Sequence, residues 1–117
     1  MKKFKVVFFK DKSGTYPVKD FILSLNVKMR AKVLGMLEIL EEKGIQLREP
    51  YTKYLEDGIF ELRCSIGSDL TRIMYCYEKN KIIVLLCGFI KKTQKTPRNE
   101  LRKAKRYKES YMEEGNK

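Results

Sequence analysis

The stretch from Ile59 to Ile90 constrains the fold of this chain more than any other. It holds three runs of β-branched, aromatic and aliphatic residues, Ile59–Ile66, Leu70–Tyr77 and Lys81–Ile90, divided by Gly67–Ser68 and Lys79–Asn80. Short apolar runs divided by two-residue turn signals read as consecutive antiparallel hairpins. Such a meander must bury a sheet face against another layer. The flanking sequence offers candidates. Lys3–Phe9 (KFKVVFF) reads as a first strand, and Asp11–Tyr16 as a turn. Pro17 opens a short helix with Val18, Phe21, Ile22 and Leu25 on one face, and Asn26 breaks or caps it. A second helix is expected over Val27–Lys43, with Ala31, Leu34, Leu37 and Leu40 as its apolar stripe and Gly44 as its stop. Thr96–Pro97 reads as a capped start for a last helix to about Glu113, with Leu101, Ala104, Tyr107 and Tyr111 inward. The expected order is β-α-α-β-β-β-α. This is an α+β domain: an antiparallel four-stranded sheet covered by an N-terminal helical hairpin, with a C-terminal helix.

The 117 residues, 1–117, fit one such domain. With 26 Lys and Arg against 15 Asp and Glu, the net charge is +11. Residues 1–50 carry +5, residues 51–90 are neutral, and residues 91–117 carry +6. The neutral middle is the expected sheet, with a basic segment attached after it. Such a balance points to a polyanionic partner, nucleic acid or an acidic protein. No apolar run approaches the roughly 20 residues of a membrane helix, and Met1–Lys10 lacks the apolar core of a signal peptide. The expected location is the cytoplasm, with no membrane partner. Cys64, Cys76 and Cys87 are odd in number, lack C-x-x-C spacing and sit in apolar runs, so they read as buried free thiols. Histidine is absent, which removes the commonest general base and the commonest metal ligand. Catalysis would fall to Lys, Arg, Tyr or a carboxylate, with no metal and no cofactor expected.

A two-residue Gly67–Ser68 turn sets Ile66 opposite Asp69, Leu62 opposite Ile73 and Phe60 opposite Tyr75. It also sets Arg63 opposite Arg72 on the other face, a like-charge pairing that costs stability. The second turn, at Lys79–Asn80, pairs Arg72 with Cys87 and carries that face through Phe89 to Lys91. Arg63, Arg72 and Lys91 should therefore converge near the Gly67–Ser68 end of the sheet. Cations brought together in this way are most easily tolerated around an anion. The plainer alternative is ordinary surface charge, with Glu61 pairing one arginine and Lys91–Lys95 a solvated connection.

The run Asp57-Gly58-Ile59-Phe60-Glu61-Leu62-Arg63, then Arg72-Ile73-Met74-Tyr75, then Leu86-Cys87-Gly88-Phe89-Ile90-Lys91-Lys92-Thr93-Gln94-Lys95-Thr96-Pro97 resembles the RelE/ParE toxin superfamily. It is most like the phage-associated, HigB-like branch. The resemblance spans Lys3 to about Tyr111, and its last motif is long and specific. Cys87 stands where the family often has histidine, which argues against a base at that position. The resemblance implies the toxin of a type II toxin–antitoxin system. Such a toxin blocks translation by cutting mRNA in the 70S ribosome. Its cognate antitoxin, often a helix-turn-helix protein, neutralises it, and operator DNA is reached only through that antitoxin. The alternative is a ParE-like gyrase inhibitor or a toxin fold kept for protein binding.

Metal-free RNA cleavage needs in-line attack by a 2′-OH, a proton acceptor, stabilised phosphoryl oxygens and a proton for the leaving oxygen. Arginine does not deprotonate, but its fork suits a dianionic phosphorane. Arg63 and Arg72 are therefore assigned to charge stabilisation. A lysine crowded by cations can act as acid or base, with Lys91 the first candidate and Lys92 the second. Lys53, Lys95, Arg98 and Lys103 are the expected RNA contacts. Tyr107 and Tyr111 are spaced for helix packing rather than base stacking.

Overall fold

A computed structural model describes residues 2–92 and 95–115. Thr93 and Gln94, inside the motif that carries the resemblance, lie outside the described residues. The elements are β1 (Lys5–Phe8), α1 (Pro17–Ser24), α2 (Val27–Lys43), a single 3₁₀ turn (Gly44–Gln46), β2 (Thr52–Glu56), β3 (Ile59–Ile66), β4 (Asp69–Glu78), β5 (Ile82–Ile90) and α3 (Arg98–Gly115). The class is α+β, as expected, but the sheet differs. It has five strands in the order β1-β5-β4-β3-β2, and it is mixed, because β1 runs parallel to β5. Two physical reasons account for the missing features. Thr52 is the one residue of β2 that is buried, so the strand has no apolar alternation to read; it is a short, polar edge strand. The direction of β1 is set by the helical hairpin that leads away from it, not by its own residues.

The helical hairpin packs on one sheet face against Leu62, Cys64, Ile73, Tyr75, Ile83 and Leu85. In α1, Val18 and Ile22 point inward. Asn26 caps α2 by accepting the Met29 N–H at 2.9 Å. The buried stripe of α2 is Met29, Val33, Met36, Leu37 and Leu40, while Ala31 and Leu34 are exposed. The expected stripe was spaced every third residue. At 3.6 residues per turn that spacing rotates by about 60° per step and leaves the core face, whereas i, i+4, i+7, i+8, i+11 stays on it. Each large apolar side chain buried in this way contributes about 1.5–3 kcal/mol. Gly44 ends α2 at φ 51°, and a Cβ there would lie 2.0 Å from the Phe4 ring.

The opposite face carries Ile59, Met74, Cys76, Val84, Leu86, Cys87 and Phe89 beneath Leu101 and Ala104 of α3. Tyr107 stacks on Phe9 with centroids 4.8 Å apart, and Tyr111 also packs against this cluster. The two tyrosines therefore serve packing. All three cysteines are free and buried. Among the described residues no helix is long and apolar enough to cross a membrane.

The β3–β4 register is the expected one, with Arg63 opposite Arg72, Leu62 opposite Ile73 and Phe60 opposite Tyr75. The β4–β5 register is not. Arg72 pairs with Phe89, and Cys87 pairs with Met74. The turn has three residues, Lys79 to Lys81, with Asn80 at φ 65° and Lys81 at φ 58°. A bulge after Met74 adds a second one-residue shift on β5, at Leu86. The two shifts sum to two residues and restore the alternation. Cys87, Phe89 and Lys91 thus share the face of Arg72 despite the wrong pairing.

Candidate active site

On the α3 face, each strand delivers polar side chains to one end of the sheet. Two rungs build the site. In one, Arg63, Arg72 and Phe89 lie side by side across β3, β4 and β5. In the next, Lys53, Glu61, Met74 and Cys87 do so across β2 to β5. Past the end of β5, the Lys91 N–H donates to the Leu70 carbonyl at 2.8 Å, which continues the ladder and places Lys91 beside the first rung.

The result is an open groove of 740 Å³ lined by Lys53, Arg63, Ser68, Leu70, Arg72, Lys91 and Lys92. Five of these seven carry positive charge. Of the expected catalytic residues, Arg63, Arg72, Lys91 and Lys92 all line it, and so does Lys53 from the RNA-contact set. The other three expected RNA contacts do not. Arg98 pairs with Glu56 at 3.4 Å, and Lys103 pairs with Glu100 at 3.3 Å on α3. Lys95 is exposed in the connection leading to α3.

Beneath the cations lies Glu61, which is fully buried. One of its oxygens, Oε1, faces Nε of Arg63 at 3.4 Å and Nε of Arg72 at 3.9 Å. The other, Oε2, accepts the Thr96 hydroxyl at 2.9 Å. Thr96, expected to cap α3, thus turns its side chain to the site. Burying a charge is costly unless it is paired and hydrogen-bonded, and Glu61 meets both conditions. In the plainer alternative Glu61 pairs one arginine, whereas its carboxylate faces both. The signal available was its parity with Arg63 and its place opposite the buried Met74. Ser68 and Leu70, which also line the groove, carried no such signal.

Arg72 is 6% exposed and donates Nη1–H to the Thr71 carbonyl at 3.0 Å. Its buried Nε has no hydrogen-bond partner within the described residues. Burial pushes the Arg72 guanidinium below its ordinary value, Glu61 opposes this, and Arg63 adds to it. Burial also lowers Lys91, against the pull of Glu61, and the positive charges of Arg72, Arg63 and Lys53 lower it further. A lysine depressed in this way gives up and regains a proton more readily than one in water. Burial pushes the Cys87 thiol up to about 12, so it is a poor nucleophile at neutral pH. Among the described residues no three His, Cys, Asp or Glu side chains come together to hold a metal ion.

The geometry can therefore fix a phosphate-sized anion between two guanidinium groups and place a proton-exchanging amine beside it. Residues 20–109 match the profile of a family described as phage derived protein Gp49-like (DUF891). No curated protein matches the chain.

Proposed function

Since the chain belongs to the Gp49-like family, a RelE/toxin-like family of phage-derived proteins, we propose that it is the toxin of a type II toxin–antitoxin pair of the HigB-like branch, and that it cuts mRNA. The observation that carries the proposal is the groove itself: Arg63 and Arg72 side by side, with Lys91 next to them and depressed below its ordinary value. In this reading the RNA backbone enters along Lys53 and Lys92. The 2′-OH next to the scissile phosphate attacks in line. Lys91 takes the proton of the attacking 2′-OH and returns it to the departing 5′-oxygen, and the two arginines hold the charge that develops on the phosphoryl oxygens. The attack leaves a cyclic phosphate on one product and a 5′-hydroxyl on the other. Translating 70S ribosomes present the mRNA. A neighbouring antitoxin neutralises the chain and carries the contact to operator DNA.

The test uses the purified chain with programmed 70S ribosomes. The expected result is mRNA cut to a 5′-hydroxyl fragment in the presence of a chelator. Intact mRNA, with DNA synthesis lost before translation on expression in cells, would assign the chain to the gyrase-poison class instead.

A further inference from the structure

Glu61 has no task in phosphate binding. A carboxylate under a cluster of RNA-binding cations repels the RNA backbone, and a neutral side chain would serve affinity better. It is nevertheless fully buried beneath the groove, with each oxygen committed. Oε1 lies between the two arginine Nε atoms, at 3.4 and 3.9 Å. With Arg72 also held at Nη1 by the Thr71 carbonyl, its fork has little freedom to turn. Oε2 takes the hydroxyl of Thr96, 35 positions along the chain. Thr96 stands at the far end of the connection that carries Lys91, Lys92 and Lys95 from β5 to α3. One carboxylate therefore faces both arginines and holds Thr96, just before α3, to the sheet.

We propose that Glu61 is a positioning residue that, together with Thr96, presets the arginine pair for the cleavage step while weakening attachment of the RNA. The proposal rests on the nuclease reading above. It sets chemistry and binding against each other, because the fixed anion favours a defined geometry for the transition state and opposes the ground-state phosphate. The Coulombic pull of Glu61 on Lys91 agrees with this, since it places the carboxylate within range of the proton-exchanging group.

The experiment measures two quantities on programmed 70S ribosomes. Cleavage is followed on ordinary mRNA. Binding is followed on mRNA carrying a 2′-deoxynucleotide at the cut site, which lacks the attacking hydroxyl. Glu61→Gln should cleave roughly tenfold more slowly or worse, while it binds the deoxy complex as well as the unaltered chain or more tightly. Thr96→Val, at a half-buried surface position, should fold normally and cleave several-fold more slowly with binding unchanged. Thr96→Ser, which keeps the hydroxyl, should cleave like the unaltered chain. If Glu61→Gln does not fold, the threonine pair carries the test. Cleavage by Thr96→Val at the unaltered rate overturns the proposal, as does weaker binding that matches its slower cleavage. Absence of cleavage by the unaltered chain would instead sink the nuclease reading, and this inference with it.

Discussion

Arg63 and Arg72 face each other directly across β3 and β4, and their Nε atoms approach the same oxygen of Glu61. Two guanidinium groups thus share the buried counter-charge of Glu61, and the exposed Glu49 adds a second carboxylate 3.9 Å from Nη1 of Arg63. Arg63→Ala should remove mRNA cleavage while leaving the fold in place. The loss of one transition-state contact is expected to cost about 2.7–4 kcal/mol, or roughly a hundred- to a thousandfold in rate. Stability should change by no more than about 1 kcal/mol, because relief of the Arg–Arg repulsion offsets the lost ion pair. Primer extension and thermal melting of the same preparation check both halves.

The groove separates the lysines by role. Lys53→Ala and Lys92→Ala should each lower the salt dependence of RNA binding by about one unit of the log–log slope. Lys103→Ala, whose amine is already paired with Glu100 on α3, should leave the slope unchanged. Titrations of a non-cleavable RNA at several salt concentrations measure this.

Lys91 gives a signed pH effect. Its folded pKa lies below the ordinary 10.5, so the unfolded chain binds the extra proton more readily. Stability must then rise with pH between the lowered value and 10.5, as the penalty for the buried charge disappears. Lys91→Met should abolish that rise. Denaturant midpoints of the two proteins, compared from neutral to alkaline pH, are expected to converge as pH increases.

One glutamate of α2 holds the start of β1 and the two residues before it. The Glu41 backbone carbonyl accepts the N–H groups of Lys3 and Phe4 at 3.1 and 2.9 Å, and its side chain accepts that of Val6 at 2.9 Å. Burial alone would raise the Glu41 carboxyl, but the Val6 N–H and Lys2 hold it below the ordinary 4.5. Its contribution is thus present above pH 4.5 and is lost as pH falls through the lowered value. Glu41→Ala should cost about 1–3 kcal/mol at neutral pH and flatten the acid limb of the stability profile, as read by urea melts from pH 3 to 7.

Gly88 lies under α1. A Cβ there would sit 2.4 Å from Cδ2 of Phe21 and 2.9 Å from Cδ1 of Ile73. Gly88→Ala should therefore destabilise by about 1–3 kcal/mol through overpacking. Phe21→Leu in the same chain should recover part of the loss. Equilibrium denaturation of the single and double variants tests the pairing.

What could be read in the sequence follows from how local each feature is. The Arg63–Arg72 rung needed only a two-residue turn and strict alternation, both encoded within a few positions. Helix boundaries followed from Pro17, Asn26 and Gly44, which act on their own backbone. β2 could not be read, because an edge strand such as Thr52–Glu56 buries too little to leave a pattern. The partner of β1 depends on how distant segments stack. That Arg98 stands beside Glu56 could not be read, because the pair spans 42 positions, whereas Lys103 and Glu100 are an i, i+3 pair on a helix and were open to reading.

The extra residue at Leu86 makes β5 a strand with two phases. Before it, Val84 and Leu86 lie on the α3 side; after it, Cys87 and Phe89 do, and Lys91 follows them. Removing one residue there would not shorten the site by a few ångströms. It would send Lys91 through the sheet to the helical hairpin and bring a neighbour of the wrong kind to the groove. The spacing between the core half and the working half of β5 is therefore counted in whole residues, and changes of length can be accepted in this strand only in pairs.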